Sequence, residues 1–355
     1  MKRAAWFLAV FLLTGCGRTA APESPVQPPA EQPEQREPAA GEAGKERAEL
    51  RLRSTAIYNG TGELAGTAAY QYDETGHLLL EEIVYGDGSE DGLSGQTNVY
   101  VYDPGGNLIH EAVTVRGENS YTLSSADYDY DQAGNLLHRA SQWEGSPNEE
   151  TFYTYNAAGQ LTFTRELRYI IGDPGSTESS TACTYDGRGR LIEEVRHTVW
   201  HVDEESLNEM PDVDPGPWTQ TTACAYDGAG RLLRQTVTEK DGLPKAEDSF
   251  TCAYDEAGNL LKKSYDDVES EEKTYDEKGR LILETGRHYG YDMSNQDIIE
   301  YTYDEAGGYI RRTYECWGLY TEEQYDAAGL CVQIQYYRAD GEKNERWVYT
   351  YEPAA

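Results

Sequence analysis

Cys183, Cys224 and Cys252 each stand two residues before a Tyr, in three successive copies of one recurring stretch. Thiols so matched can pair, hold a metal or fill space, and their separation decides between these. On neighbouring hairpins, equivalent positions lie two strands apart, about 9.5 Å. A disulfide needs Cα atoms within about 7 Å, and a cysteine metal site also wants a close Cys-x-x-Cys. The three are therefore expected to be small buried fillers. Cys316 and Cys331 are an unforced pair. His197 and His201 have the i, i+4 spacing that holds zinc on a helix. On a strand the same interval spans about 13 Å, too far for one ion. Acidic clusters at Asp87, Glu90, Asp91 and at Asp203, Glu204, Glu205, Asp212, Asp214 offer oxygen ligands without a calcium-loop spacing, so they read as solvated loops. We expect no metal and no cofactor.

Trp143, Trp200, Trp218 and Trp317 form a second set. They fall near the loop ends of the hairpins, where exposed rings can stack on a sugar or a partner protein. The competing reading makes them plugs that cover the end of a sheet. Catalytic motifs are missing: there is no Gly-x-Ser-x-Gly elbow, no phosphate loop and no His-Glu-x-x-His. Carboxylate pairs suited to glycoside hydrolysis are too numerous among 64 acidic residues to single out any. The chain is expected not to be an enzyme.

One stretch must position all of these residues. Tyr-Asp-x-x-Gly-x-Leu starts at Tyr72, Tyr102, Tyr130, Tyr185, Tyr226, Tyr254 and Tyr275, with looser copies at Tyr58, Tyr155, Tyr303 and Tyr325 and a truncated one at Tyr351. It reads as a hairpin tip. Asp opens a type I turn and accepts backbone N–H groups, Gly supplies the positive φ of a bulge, and Tyr and Leu face each other across the strands. Intervals of mostly 21–30 residues fit one strand out, one loop and one strand back. The 14-residue first interval reads as a degenerate cap. The 41-residue interval carries an acidic, Pro-containing insertion from Trp200 to Trp218. Apolar residues flank the turn on both strand faces, as with Leu79, Ile109 and Leu137. A sheet of roughly twenty antiparallel strands is too long to stay open and flat. We therefore expect an all-β meander curled into a spiral or partial shell, burying parts of both faces.

Residues 1–15 read as a targeting segment: Lys2 and Arg3, an apolar run to Leu13, then Leu13-Thr14-Gly15-Cys16. This resembles the lipobox of bacterial lipoproteins, which implies lipidation of Cys16 and anchoring by two acyl chains. Residues 16–48 hold the lipidated Cys and a Pro- and Glu-rich tether expected to be disordered. Residues 49–355 form the repeat domain. The net charge of −34 argues against nucleic acid and against docking on an anionic bilayer surface. The anchor places the domain in the cell envelope, outside the cytoplasmic membrane or on an outer membrane if the host has one.

The Tyr-Asp-x-x-Gly-x-Leu units are similar to those of the YD-repeat family of Rhs toxins and teneurins, over about residues 56–353. The resemblance implies a long hairpin meander wound into a hollow or curled body. With no recognisable effector domain before Ala355, a toxin role is not expected. The sequence reading is a lipid-anchored scaffold or adhesion module for carbohydrate or a surface protein. The alternatives are an envelope glycan hydrolase with paired carboxylates and a remnant shell of an Rhs-type toxin locus.

Overall fold

The computed structural model describes residues 50–86, 93–117, 120–144, 146–169, 175–202, 216–239, 242–243, 245–246, 248–267, 270–286, 297–314 and 318–353. Among them are twenty-two strands and no α-helix. In chain order they are β1 Leu50–Tyr58, β2 Leu64–Tyr72, β3 Leu78–Tyr85, β4 Gly95–Tyr102, β5 Leu108–Arg116, β6 Tyr121–Tyr130, β7 Leu136–Trp143 and β8 Ser146–Tyr155. There follow β9 Leu161–Tyr169, β10 Ser176–Tyr185, β11 Leu191–His201, β12 Trp218–Tyr226, β13 Leu232–Thr238, β14 Phe250–Tyr254 and β15 Leu260–Tyr265. The last seven are β16 Ser270–Tyr275, β17 Leu281–Gly286, β18 Asp297–Tyr303, β19 Tyr309–Tyr314, β20 Tyr320–Tyr325, β21 Cys331–Tyr337 and β22 Lys343–Pro353.

Each strand runs antiparallel to its predecessor, from the β1–β2 hairpin to the β21–β22 hairpin. β22 then pairs with β1, from Leu50↔Pro353 to Tyr58↔Arg346. The sheet is therefore a closed up-and-down barrel, which corrects the expected spiral or partial shell. Closure satisfies the two backbone edges that an open sheet would leave unpaired.

The hairpin tips are built as their sequence dictates. At Asp131, the carboxylate Oδ1 accepts the Ala133 and Asn135 N–H groups at 2.8 and 2.9 Å. Gly134 takes φ +84°, and the register slips by one residue beside Tyr130, which faces Leu136. Ten such turns, from β2–β3 to β20–β21, line one end of the barrel, here the turn rim. The Asn59–Glu63 turn has the same geometry but joins β1 to β2 at the other end, the loop rim. The first interval is thus not a degenerate cap. It is one strand, β2, with a turn at each end.

Alternation divides the wall cleanly. Leu108, Leu136, Leu161, Leu191, Leu232 and Leu260 point inward and are buried. The aliphatic row one residue further on points outward: Leu79 is 38% exposed and Leu137 40%. The expectation that both faces are partly buried is corrected, because closure leaves one side of the wall to solvent. Burial is not concentrated at one centre. It forms separate clusters within the wall, around Ile83 and Trp347, around Phe250 and Tyr265, and around Leu136 and Tyr153.

No helix of the described residues is long and apolar enough to cross a membrane. The outer wall carries the pairs His110–Asp127, Arg165–Glu178 and Lys262–Glu272 at 2.6–2.7 Å, beside the exposed aliphatic row.

Candidate recognition site at the loop rim

Trp143 ends β7, Trp200 lies one residue from the end of β11, and Trp218 begins β12. All three stand at the loop rim on inward-facing positions, opposite Ser124, Thr177 and Thr198. The fold brings Trp200 and Trp218 together on adjacent strands. It leaves Trp143 four strands away, about 19 Å around the wall. Trp317 lies outside the described residues. The plug reading suits Trp200. It is half-buried, its indole N–H is buried with no hydrogen-bond partner among the described residues, and a Cβ on Gly175 would come within 2.4 Å of that nitrogen. Trp218 differs, with 38% of its surface exposed.

Trp218 is exposed because the wall is shortened beside it. β13 ends at Thr238, opposite Thr221. The chain then turns through Glu239–Leu243 and returns, with the Lys245 N–H donating to the Val237 carbonyl at 2.7 Å. The fully buried Ser249 Oγ accepts the Val237 N–H at 2.9 Å and fastens this segment to β13. Trp218, Thr219 and Gln220 consequently pair with β11 alone. A groove of about 360 Å³ opens there, lined by these residues with Arg196, Thr198, Glu239 and Lys245.

Charge reaches the groove along the inner wall. Arg139 meets Glu149 at 2.7 Å, Glu149 meets Arg168 at 3.4 Å, and Arg168 meets Glu166 at 3.1 Å. Arg196 ends the series, 3.7 Å from Glu166. The groove thus combines an open indole face with amide, hydroxyl, guanidinium, ammonium and carboxylate groups, a set suited to a polyhydroxylated ligand.

The other sequence candidates are placed as follows. Cys183, Cys224 and Cys252 occupy β10, β12 and β14, two strands apart, as unpaired thiols. Burial pushes the Cys183 and Cys224 thiols up to about 11. Cys331 is buried, and Cys16 and Cys316 lie outside the described residues. His197 and His201 face outward on β11, bonded to Thr219 and Glu178 respectively. Both acidic loop clusters lie outside the described residues. Among those described, no group of three His, Cys, Asp or Glu side chains is arranged to hold a metal. Burial pushes the Glu81, Glu194 and Glu345 carboxyls upward. Glu81 accepts from the Asn98 amide at 2.7 Å and Glu345 from the Trp347 indole, both neutral partners.

Two features escaped the sequence reading. The residue between Gly and Leu in the repeat has a role of its own in six turns: Asn107, Asn135, Arg190, Arg231, Asn259 and Arg280 all donate from their side chains to the Asp of their own turn. The recurrence of Asn and Arg there was the available signal. The second is an outer-wall row of tyrosines, Tyr314, Tyr320 and Tyr337, with Tyr320 and Tyr337 stacked at 4.3 Å.

No protein-family model matches the chain, and no curated protein matches it. Among solved structures it is similar to TcdB2-TccC3-TEV, at 17% identity and a TM-score of 0.42, over 83% of this chain and 16% of that one. It is similar to the Photorhabdus luminescens Tc holotoxin pore, at 16% identity and 0.26, over 82% and 19%. It is also similar to a porin-like protein from Bacteroides uniformis, at 10% identity and 0.29, over 85% and 98%. The chain thus spans less than a fifth of the toxin chains' length. At these scores and identities the likenesses say nothing of what it binds.

Proposed function

We propose that this chain is a non-enzymatic YD-repeat barrel, lipid-anchored in the cell envelope through Cys16, that recognises carbohydrate at its loop rim. The observation that carries the reading is Trp218, an exposed indole at the head of a groove where the wall is cut short. A tryptophan face that stacks on a pyranose, ringed by groups that bond hydroxyls, is a physical basis for sugar binding. Orientation supports it. Leu50 and Pro353 pair at the turn rim, so a tether from Cys16 joins the barrel at the end opposite the groove.

The test is binding of the full, detergent-solubilised chain to a glycan array, followed by tryptophan-fluorescence titration. Saturable binding that Trp218→Ala abolishes and Trp143→Ala leaves intact supports the assignment. A folded chain that binds no glycan overturns it. The anchor is tested separately: Cys16→Ala should release the chain from the membrane fraction, and retention there would sink lipidation.

A further inference from the structure

Two cations face the groove in a chain whose net charge is −34. Arg196 is the less engaged. Arg139, at the other end of the inner-wall series, holds a carboxylate at 2.7 Å. Arg196 stands 3.7 Å from Glu166, donates to the Ser179 hydroxyl at 3.3 Å, and leaves 45% of its side chain exposed. Most of its planar fork of donors is therefore open to a ligand. Lys245, paired with Asp248 at 2.8 Å, also lines the groove, with Trp218 and Gln220. Among the described lining side chains Arg196 and Lys245 are cationic and Glu239 anionic, with Glu166 and Asp248 beside the two cations.

We infer that the groove selects a sugar bearing a carboxylate, an isolated or terminal uronate unit on an otherwise neutral saccharide. This rests on the carbohydrate reading of the groove. The pyranose face lies on Trp218, the carboxylate meets the Arg196 fork in the two-point geometry that a guanidinium favours, and Gln220 and Glu239 serve the hydroxyls. Glu166 and Ser179 engage one terminal nitrogen of Arg196, and the donors left over match the two oxygens of one carboxylate. A doubly charged phosphate would face Glu239 with no second cation free to balance it. The acidic body of the protein repels a saccharide charged along its length, so the acidic unit stands alone or at an end.

The probe is a xylotriose carrying one glucuronate, compared with the same saccharide after reduction of its carboxylate to the alcohol. Both are titrated against the full chain by tryptophan fluorescence. The acid should bind about tenfold or more tightly than the reduced form, the scale of one charge-assisted pair. Arg196→Gln should bring the acid and the reduced form to within about twofold of each other, in a chain whose circular dichroism matches the wild type. Lys245→Gln, a change confined to a half-exposed side chain, should lower the affinity for the acid more than that for the reduced form. Equal affinity of the wild type for both forms would overturn the uronate assignment and leave the carbohydrate reading standing, as would a preference that survives in both variants. A folded wild type that binds neither form, and no other glycan, removes both readings together.

Discussion

The Tyr226 hydroxyl donates to the Leu191 carbonyl at 2.8 Å, across the step from one hairpin to the next. Arg190, the residue just before that leucine, grips Asp186 in its own turn and lays its guanidinium 4.6 Å from the centre of the Tyr226 ring. Tyr254 with Leu232 and Arg231, and Tyr303 with Leu281 and Arg280, repeat the arrangement. Each of these three turns is thereby clasped to its successor.

Tyr130 and Tyr155 hold the same place in their hairpins, yet their hydroxyls are buried with no partner among the described residues. The two situations predict opposite responses to one substitution. Tyr226→Phe deletes a made hydrogen bond and should cost about 1 kcal/mol. Tyr130→Phe removes a buried hydroxyl that bonds to nothing, so stability should be unchanged or slightly raised. Urea midpoints of the two variants decide the matter, and equal losses would contradict the difference between the two sites.

Gly134 and Gly187 separate conformation from crowding. At Gly134 a Cβ would have room, with only the Asn107 amide oxygen nearby at 3.7 Å, but φ is +84°. Gly134→Ala should therefore cost about 1–2 kcal/mol from the left-handed backbone alone. Gly187 has equal room and no positive φ. There alanine should be neutral, or should add a few tenths of a kcal/mol by restricting the unfolded chain. A thermal shift of similar size in both variants would mean that φ is not what selects glycine in these turns.

How far this fold was legible follows from these residues. Asp131, Gly134 and the facing of Tyr130 by Leu136 are local, and their spacing alone specifies the hairpin. The strand-to-strand separation of Cys183, Cys224 and Cys252 then follows from the meander. Closure did not follow, because it depends on β22 reaching β1 after the curvature of all the intervening hairpins has accumulated, and no single repeat encodes that sum. The outward row at Leu79 and Leu137 misled for a related reason: apolar residues on both faces resemble two-sided burial until the wall closes and one side is left to water. Of the rim tryptophans, the sequence could mark the set but not which one stands exposed. Trp218 is exposed only because β13 stops at Thr238, and that stop lies in the backbone path of 239–249.

The cysteines give a chemical check on the inner wall. Burial pushes the Cys183 and Cys224 thiols up to about 11, from an ordinary value near 8.5. At pH 8 the native thiols should then be alkylated by iodoacetamide about a hundredfold or more slowly than in the urea-unfolded chain. Rates measured by peptide mass mapping should show both sites protected. Rapid labelling of native Cys224, or recovery of a Cys183–Cys224 disulfide, would contradict the register of β10 to β12.

Acid should first stabilise the barrel and then destabilise it. Burial raises the Glu81, Glu194 and Glu345 carboxyls. A raised carboxyl holds its proton more tightly in the folded chain, so its contribution is fully present below the ordinary glutamate value, about 4.3, and is lost as pH rises through the folded value. The turn aspartates behave the other way. Hydrogen bonds within their own turns hold Asp103, Asp131 and Asp227 below the ordinary carboxylate range. The backbone N–H of Arg190, then its guanidinium, brings Asp186 down to about 2. Their contribution is present above about 3.9 and is lost as pH falls toward the folded values. Tm by circular dichroism should therefore rise from pH 7 to a maximum at about pH 4–5 and fall steeply below that. Relief of self-repulsion in so acidic a chain acts in the same direction as the first limb, and Glu81→Gln separates the two. It should raise Tm at pH 7 and shrink the rise toward pH 5, because the amide stands in for the protonated acid. If Tm falls steadily from pH 7 downward, or if Glu81→Gln lowers Tm at pH 7, then Glu81 is stabilising as the carboxylate and the inner wall is wetter than its burial indicates.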